Sequence, residues 1–368
     1  MKNLKTKAKR LLEKIEKSLQ NPVYSSFKSN QESFEIPLQI IMLSEFNEWK
    51  LDDNLTYNMR SFHRKFIEKK LEIWNEKGPL AQIDSDTLHL TRNVVDIHRE
   101  ATARELLSEK ECNTLGFNEM TKTEKHIMPR IGFLTIGSYG NIEFVHRTFA
   151  EYFLADYVLS IVPKEIGKLS LFHKILEGFE YQKVRRFMND ALDESEEHFK
   201  ELLSMNITKN FNRQAFISSL ARNIKEKNSK LLKLLLTNDE FKNDMKTFIK
   251  LYNAWHDQSF LLDSARYCTF EMFKHLWNVL TSAELTLEEQ KELFNPPRIS
   301  SFSSILKQAH SNDDQEVIKY IMEIAVDLFD LGELKKFISI DAVLESTQKS
   351  SSFGQLSEKN LMSKIRRK

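Results

Sequence analysis

The most constraining feature of this sequence is a recurrence of small and apolar residues every 44 positions in its C-terminal half. Three series share this interval: Ile217, Leu261 and Ile305; Ala221, Ala265 and Ala309; Leu232, Leu276 and Tyr320. About ten residues after each alanine, an apolar segment with helical periodicity follows. Because a small residue lets two helices approach closely while the next helix supplies bulk, the spacing predicts stacked helical hairpins.

The composition favours helices throughout. The 368 residues include only 9 Gly and 7 Pro, and the formal net charge is +1. So few helix breakers predict a mainly α protein, and the balanced charge gives no general attraction to nucleic acid or an anionic membrane. Cys112 and Cys268 are too few and too distant for a disulfide framework or a zinc site, which is typical of a cytoplasmic protein. No apolar run approaches the roughly 18 residues of a membrane span, so no membrane-spanning helix is expected.

Amphipathic helices are predicted before residue 110. Helices are predicted at 4–19, 38–43, 55–75 and 87–109; apolar residues recur every three or four positions in all but the second, which is apolar nearly throughout. Pro37 precedes the second segment, where a first-turn proline is tolerated. In the fourth, His89 and His98 lie nine positions apart and do not share a helix face, so we assign them surface or core roles rather than metal ligation. Residues 1–110 are therefore predicted to form a helical domain.

A different pattern occupies residues 111–163, predicted to be a winged-helix-like unit. Short β-branched and aromatic runs between Ile131 and Phe144 flank the turn sequence GSYG, which predicts a β-hairpin. In the next segment, Phe149 and Phe153 lie one helical turn apart, and further apolar residues occupy other sides. A helix that is apolar on several faces is a buried one.

The remaining chain is divided into repeats and a tail. Residues 164–343 are assigned to the helical repeats, and residues 344–368, rich in Ser, Gln and Lys, are predicted to be a disordered basic tail. The predicted fold class is thus mainly α: a helical bundle, a winged-helix-like unit with a small hairpin, and a helical-repeat solenoid.

Catalytic motifs are missing from the sequence. Gly132 and Gly137 have the glycine spacing of a P-loop, but Ser138 and Tyr139 stand where Lys and Ser/Thr are required. The GSYG turn also lacks the central serine of a nucleophile elbow. The carboxylates of EKEC and DESEE are typical of exposed charge runs rather than acid–base pairs. We therefore expect no enzyme activity, no catalytic residue, no metal site and no cofactor bound by the chain alone.

Two segments resemble the C-terminal half of NACHT-type STAND NTPases, especially arthropod members with ankyrin-like helical repeats. The first is FEIPLQIIMLSEF at 34–46, followed by the helix that carries Phe62 and Phe66. The second, at 132–158, is more specific and contains the F-x-H-x-x-x-x-E-Y/F-x-x-A pattern that ends the family's winged-helix module. The matching residues, together with Phe149 between them, are Phe144, His146, Glu151, Tyr152 and Ala155.

The resemblance implies roles for two residues. In that family the proline of the first segment lies near the adenine, and the winged-helix histidine reaches a phosphate of bound ADP; by position these are Pro37 and His146. The alternatives are a helix-start proline for Pro37 and a hydrogen-bonded histidine at a strand-to-helix junction for His146. The family's Walker A and Walker B core is missing from these residues. ADP or ATP is therefore expected to bind only if a nucleotide-binding domain is supplied in cis or in trans.

The function implied by the resemblance is a non-catalytic regulatory and protein-interaction region of a NACHT-like signalling or innate-immunity protein, whose ankyrin-like repeats bind a protein ligand. An alternative is a free-standing helical-repeat adaptor or scaffold, in which the hairpin is incidental and His146 has only a structural role. A weaker alternative is a winged-helix nucleic-acid binder, suggested by the hairpin and the basic ends. Residues 126–130 are too short and too mixed to form its basic recognition helix.

Overall fold

A computed structural model defines the fold. It describes Met42, Glu45 and residues 58–77, 93–117, 119–138, 140–162, 164–165, 168–205, 211–237, 239–255, 259–282, 285–294, 305–306, 308–309, 311–312, 314–330 and 332–333. This part of the chain is mainly α-helical with one two-stranded antiparallel sheet, which confirms the predicted class at that level. The predicted helix at 4–19, Pro37 and the predicted tail at 344–368 lie outside the described residues. The chain divides into two compact units, residues 1–168 with 186–194, and residues 169–185 with 195–368.

The first unit contains short helices around one hairpin. In chain order its elements are α1 (Met59–Lys77), α2 (Val94–Leu106), α3 (Glu109–Leu115), α4 (Lys122–Ile127), a 3₁₀ turn (Met128–Ile131), β1 (Leu134–Ile136), β2 (Ile142–Phe144) and α5 (Arg147–Ile161). The single helix predicted at 87–109 ends earlier, because Ser108 starts α3. The backbone N–H of Ser108 donates to the Glu111 carboxylate at 2.8 Å, as in a capping box.

The predicted hairpin is confirmed, but its first strand is shorter than expected. Leu134 pairs with Phe144 and Ile136 with Ile142, so each pair shares one face of the sheet. Ile131, predicted to begin the hairpin, instead ends the 3₁₀ turn, in which a proline occupies the first turn. Gly140 closes the hairpin with a φ of 75°, a conformation that glycine adopts at little steric cost.

The second unit consists of helices only, among its described residues. They are α6 (Leu169–Glu177), a 3₁₀ turn (Phe179–Tyr181), the first residues of α7 (Gln182–Glu194), α8 (Glu196–Ser204), α9 (Arg213–Lys225), α10 (Ser229–Leu236), α11 (Asp239–Asn243), α12 (Met245–Trp255), α13 (Phe260–Tyr267), α14 (Phe270–Ser282), α15 (Leu287–Phe294) and α16 (Gln315–Leu328). The boundary between the two units falls within α7, after Arg185.

The 44-residue series lie in the interior of this unit. All members except Tyr320 are at most 3% exposed: Ile217, Leu261, Ile305, Ala221, Ala265, Ala309, Leu232 and Leu276. Helix α9 contacts α6, α10 and α13, and α14 contacts α10 and α16. Ile217 and Leu261, Ala221 and Ala265, and Leu232 and Leu276 are therefore pairs of buried residues, 44 positions apart, on helices that contact one another.

The corner between α6 and α7 is held by a fully buried arginine. The Arg185 guanidinium forms a two-bond ion pair with Glu226, which follows α9, with Nε 2.8 Å from Glu226 Oε2. It also donates to the backbone carbonyls of Ile175, at 2.7 Å, and Gly178. The last carbonyls of a helix have no hydrogen-bond partner within the helix. Arg185 supplies that partner at the end of α6 and also links this end to the loop after α9.

We predict that Arg185→Met destabilises the second unit by about 3–5 kcal/mol, because it leaves the Glu226 carboxylate and two carbonyls without their buried partner. The measurement is urea unfolding followed by circular dichroism. The double variant Arg185→Met/Glu226→Met should be more stable than the single one, since the uncompensated charge is gone. A loss below about 1 kcal/mol in the single variant would contradict this role for the ion pair.

Candidate functional site

The residues that carry the resemblance lie together at the junction of β2 and α5. Phe144 ends β2, and Phe149, Tyr152 and Ala155 lie on α5; all four side chains are buried. The helix is buried on several faces, as predicted, with eleven of its fifteen residues in the interior. The segment is therefore the centre of the first unit rather than a surface motif.

His146 is the N-cap residue of α5. Its Nδ1 accepts a hydrogen bond from the backbone N–H of Thr148 at 3.2 Å, and its backbone is extended, with a φ of −155°. Because Nδ1 is the acceptor, the proton of the neutral ring lies on Nε2. The side chain is half-buried. His146 therefore helps to start α5.

Glu151 is a buried carboxylate one turn further along α5. It is 4% exposed, and its Oε1 accepts from Nε of Arg147 at 3.1 Å. The Arg147 side chain is 58% exposed, so the pair links the interior to the surface at the start of the helix. A buried carboxylate needs a hydrogen-bonded or charged partner, and Arg147 supplies one.

Two buried histidines pack against α5 from the neighbouring helices. Nδ1–H of His63 on α1 donates to the Met59 carbonyl, and Nδ1–H of His98 on α2 donates to the Val94 carbonyl, both at 2.8 Å. The His63 ring stacks on Tyr152 and the His98 ring on Phe153, with centroid distances of 6.3 and 4.9 Å. Burial lowers the pKa of His98 from 6.5 to about 4, and the bond to the Val94 carbonyl opposes that shift only in part.

His98 lies in the core, one of the two roles predicted for it, whereas no role was predicted for His63. The signal that could have identified His63 is its position in the helix that carries Phe62 and Phe66. His89 lies outside the described residues. Neither described histidine is set up to bind a metal, since no group of three or more His, Cys, Asp or Glu side chains with that geometry occurs in the described parts of the chain.

Charged side chains enclose the outer side of α5. Asp156 accepts from Nε and Nη2 of Arg99 on α2, at 3.1 and 2.6 Å, and lies 3.7 Å from Nη2 of Arg60 on α1. Arg60 and Arg64 also bond to Glu194 on α7, at 2.5 and 2.9 Å. Helices α1, α2, α5 and α7 thus share one network of ion pairs, whose members come from four separate places in the sequence.

Described residues line a cleft in each of the two units. The cleft of the first unit, about 380 Å³, lies beside β2, and its lining includes four glutamates: Glu100, Glu105, Glu119 and Glu143. The cleft of the second unit, about 590 Å³, lies where the loops after α9 and α13 meet the start of α16. Its lining residues are Lys227, Tyr267, Thr269, Asn312, Asp314, Gln315 and Glu316. None of the described helices combines the length and apolarity needed to cross a membrane.

Comparisons with protein-family profiles, with curated proteins and with solved structures find no match to this chain. The geometry of the two units therefore has to carry the functional argument.

We predict that His98 makes the stability of the first unit depend on pH. A histidine with a folded-state pKa near 4 and an ordinary pKa of 6.5 takes up a proton on unfolding. The contribution of His98 to the free energy of unfolding is therefore complete above about pH 6.5. It decreases as the pH falls toward 4, by up to about 1.4 kcal/mol per pH unit. His98→Phe keeps a ring against Phe153 but cannot titrate, so its stability should fall less over that range.

The measurement is urea unfolding of both proteins between pH 7.5 and 4.5. His126→Gln, which removes an imidazole from the surface, is the control. Parallel stability curves for the wild-type chain and His98→Phe would show that His98 is not the group responsible.

Proposed function

We propose that this chain is a non-catalytic regulatory and protein-interaction region of the NACHT-like signalling or innate-immunity type. In this proposal a winged-helix-like unit precedes ankyrin-like helical repeats, and the repeats bind a protein partner. The chain has no cofactor of its own and takes part in ADP or ATP binding only when a nucleotide-binding domain is supplied. The observation that carries the proposal is the contact between helices whose buried residues are 44 positions apart.

Two rows of helices support the repeat arrangement. The first helices of successive repeats are α6, α9 and α13, and α9 contacts both of the others. The second helices are α10, α14 and α16, and α14 contacts both of the others. Since the middle helix of each row contacts both of its row neighbours, the rows have the connectivity of a solenoid, which presents an extended surface suited to protein ligands.

The repeats differ from simple helical hairpins. Further helical segments lie outside the two rows: α8 directly before α9, α11 with α12 between α10 and α13, and α15 between α14 and α16. Two helices of 8–14 residues account for only part of a 44-residue interval. The further segments fill the remainder and are the reason that we describe the repeats as degenerate.

The junction of β2 and α5 supports the regulatory part of the proposal. His146 is half-buried at a helix start, where backbone N–H groups and the helix dipole favour an anion. A phosphate held by Nε2–H would be sensed directly by the first turn of α5, because Nδ1 of the same ring caps that turn. The cap bond equally favours the alternative, a free-standing helical-repeat adaptor in which His146 has only a structural role.

The weaker alternative, a winged-helix nucleic-acid binder, is disfavoured by charge. The cleft beside β2 contains Glu100, Glu105, Glu119 and Glu143, against Arg104 and Lys125. Phosphate contacts require an excess of Lys and Arg at the surface that meets the backbone. The hairpin side of the first unit therefore repels nucleic acid rather than attracting it.

To test the array, a photoreactive phenylalanine analogue can be placed at exposed positions of the second unit, Lys200, Lys242 or Asn278, in cells that express the protein. We expect cross-links to one discrete protein from several of these positions. Lys110 and Glu119 in the first unit are the matched control positions. The same products from both units, or none from either, would contradict a partner-binding array.

To test nucleotide sensing, the chain alone should show no ATP hydrolysis and no ADP affinity by calorimetry. A NACHT-type nucleotide-binding domain added in trans should retain ADP longer with the wild-type chain than with His146→Asn. Asparagine can still cap α5 but cannot supply Nε2–H, so the stability of this variant should be nearly unchanged. Equal ADP retention with both chains would favour the adaptor alternative, and stoichiometric binding of ADP by the chain alone would refute the proposal.

A further inference from the structure

In the second unit, the corners at the ends of α6, α9 and α13 carry a row of cationic and aromatic side chains, which lie in the last turn of the helix or in the segment after it. We call this the corner row, and its members are Phe179, Arg222, Lys227, Arg266 and Tyr267. Arg222 and Arg266 are 44 positions apart, each in the last turn of a first helix, α9 and α13. The repeat interval thus places a guanidinium at the same point of two successive corners.

Each arginine of the corner row is paired with an aromatic ring rather than with a carboxylate. The Arg222 guanidinium lies 5.7 Å from the centroid of Phe179, whose side chain is 78% exposed. The Arg266 guanidinium lies 5.2 Å from the centroid of Tyr267. Such a pair holds the guanidinium in place while its outer N–H groups stay available to a carboxylate of a ligand.

Lys227 occupies a position where glycine would be favoured. It has a φ of 60° and is the one non-glycine residue with positive φ in the described residues. The N–H of Asn228 bonds to the Asn223 carbonyl and the N–H of Lys227 to the Ile224 carbonyl, which is the Schellman pattern that ends α9. Glycine adopts this conformation without strain, whereas lysine does so at a cost. The Lys227 side chain lines the 590 Å³ cleft, and strained backbone conformations of this kind cluster at ligand-binding sites.

The charges of the corner row are open to a ligand, whereas nearby carboxylates are occupied. Arg222, Lys227 and Arg266 form no ion pair with another described residue. In contrast, Glu226 is paired with Arg185, and Asp314 accepts the N–H groups of Phe270 and Glu316 at 3.0 and 3.1 Å. Two exposed carboxylates lie toward the ends of the row: Glu180, beside Phe179, and Glu316, in the cleft.

We propose that the corner row is the docking surface for an extended, acidic segment of the partner protein, whose carboxylates bind Arg222, Lys227 and Arg266 while apolar side chains pack on Phe179 and Tyr267. Charge complementarity selects this occupant, because the open groups in the middle of the row are all cations. Neighbouring helices are about 8–10 Å apart, so successive corners match about three residues of an extended chain. The inference rests on the proposed repeat array for this spacing.

The experiment measures binding of fluorescein-labelled twelve-residue peptides to the full chain by anisotropy. The probes carry glutamates at every third position among Leu, Ser and Thr, and the comparison sets carry glutamine or lysine at those positions. A single-stranded oligonucleotide of equal charge is a further probe. We expect the glutamate peptides to bind, more weakly at higher salt, and the other probes to bind at least about tenfold more weakly.

Lys227→Gly is the decisive variant because it should fold better than the wild-type chain while losing a cation of the row. We expect a higher urea midpoint together with a several-fold loss of affinity for the glutamate peptides. Arg222→Gln/Lys227→Gly/Arg266→Gln should lose binding almost completely. The matched control Lys200→Gln/Lys242→Gln/Lys250→Gln removes three exposed lysines elsewhere in the second unit and should retain it.

Equal binding of glutamate and glutamine peptides, equal binding of the oligonucleotide, unchanged affinity in Lys227→Gly, or no peptide binding at all would overturn the inference. If cross-links to a discrete partner are nevertheless found at Lys200, Lys242 or Asn278, the proposed array is still supported, and the partner binds to a different face of it. Failure of both experiments would instead remove the proposed function itself.

Discussion

The first unit depends on the burial of helix α5. Because eleven of its fifteen residues are in the interior, neighbouring elements must cover several of its faces at once. Helices α1 and α2 do so with His63 and His98, whose rings can stack on aromatic residues because each Nδ1–H is satisfied within its own helix. The same burial keeps His98 neutral over the physiological range. Apolar packing thus determines both the position of α5 and the electrostatics around it.

The second unit depends on side chains that act as backbone partners at helix ends. Arg185 bonds to carbonyls at the end of α6, and Asn312 donates to the carbonyls of Ala265 and Cys268 at the end of α13, at 3.2 and 2.6 Å. Asp314 accepts N–H groups from the starts of both α14 and α16. Helix ends leave these groups unsatisfied, so a residue from a distant part of the chain can hold the corner between two helices. The cations of the corner row, by contrast, form no ion pair with another described residue.

Periodicity predicted the type of most elements but not all of their limits. The hairpin and the buried helix after it were predicted from short β-branched runs and from apolar residues on several helix faces, and both are confirmed. The break at Ser108 was missed because the apolar spacing continues past it, although the Ser108 and Glu111 pair is a visible capping signal. Helices α8, α11, α12 and α15 were also missed, since the 44-residue series do not pass through them.

The sequence by itself determined the mainly α class, the hairpin, the burial of α5 and the interval that relates residues such as Ala221 and Ala265, because these follow from local spacing of apolar and turn residues. Only the tertiary structure decided that Asp156 meets Arg60 and Arg99, that His146 caps a helix through Nδ1, and that Lys227 has a left-handed conformation beside a cleft. Those features join residues far apart in the chain or depend on one backbone angle. Side-chain spacing carries no record of either, because distant contacts and local strain are set by the packing of the whole unit.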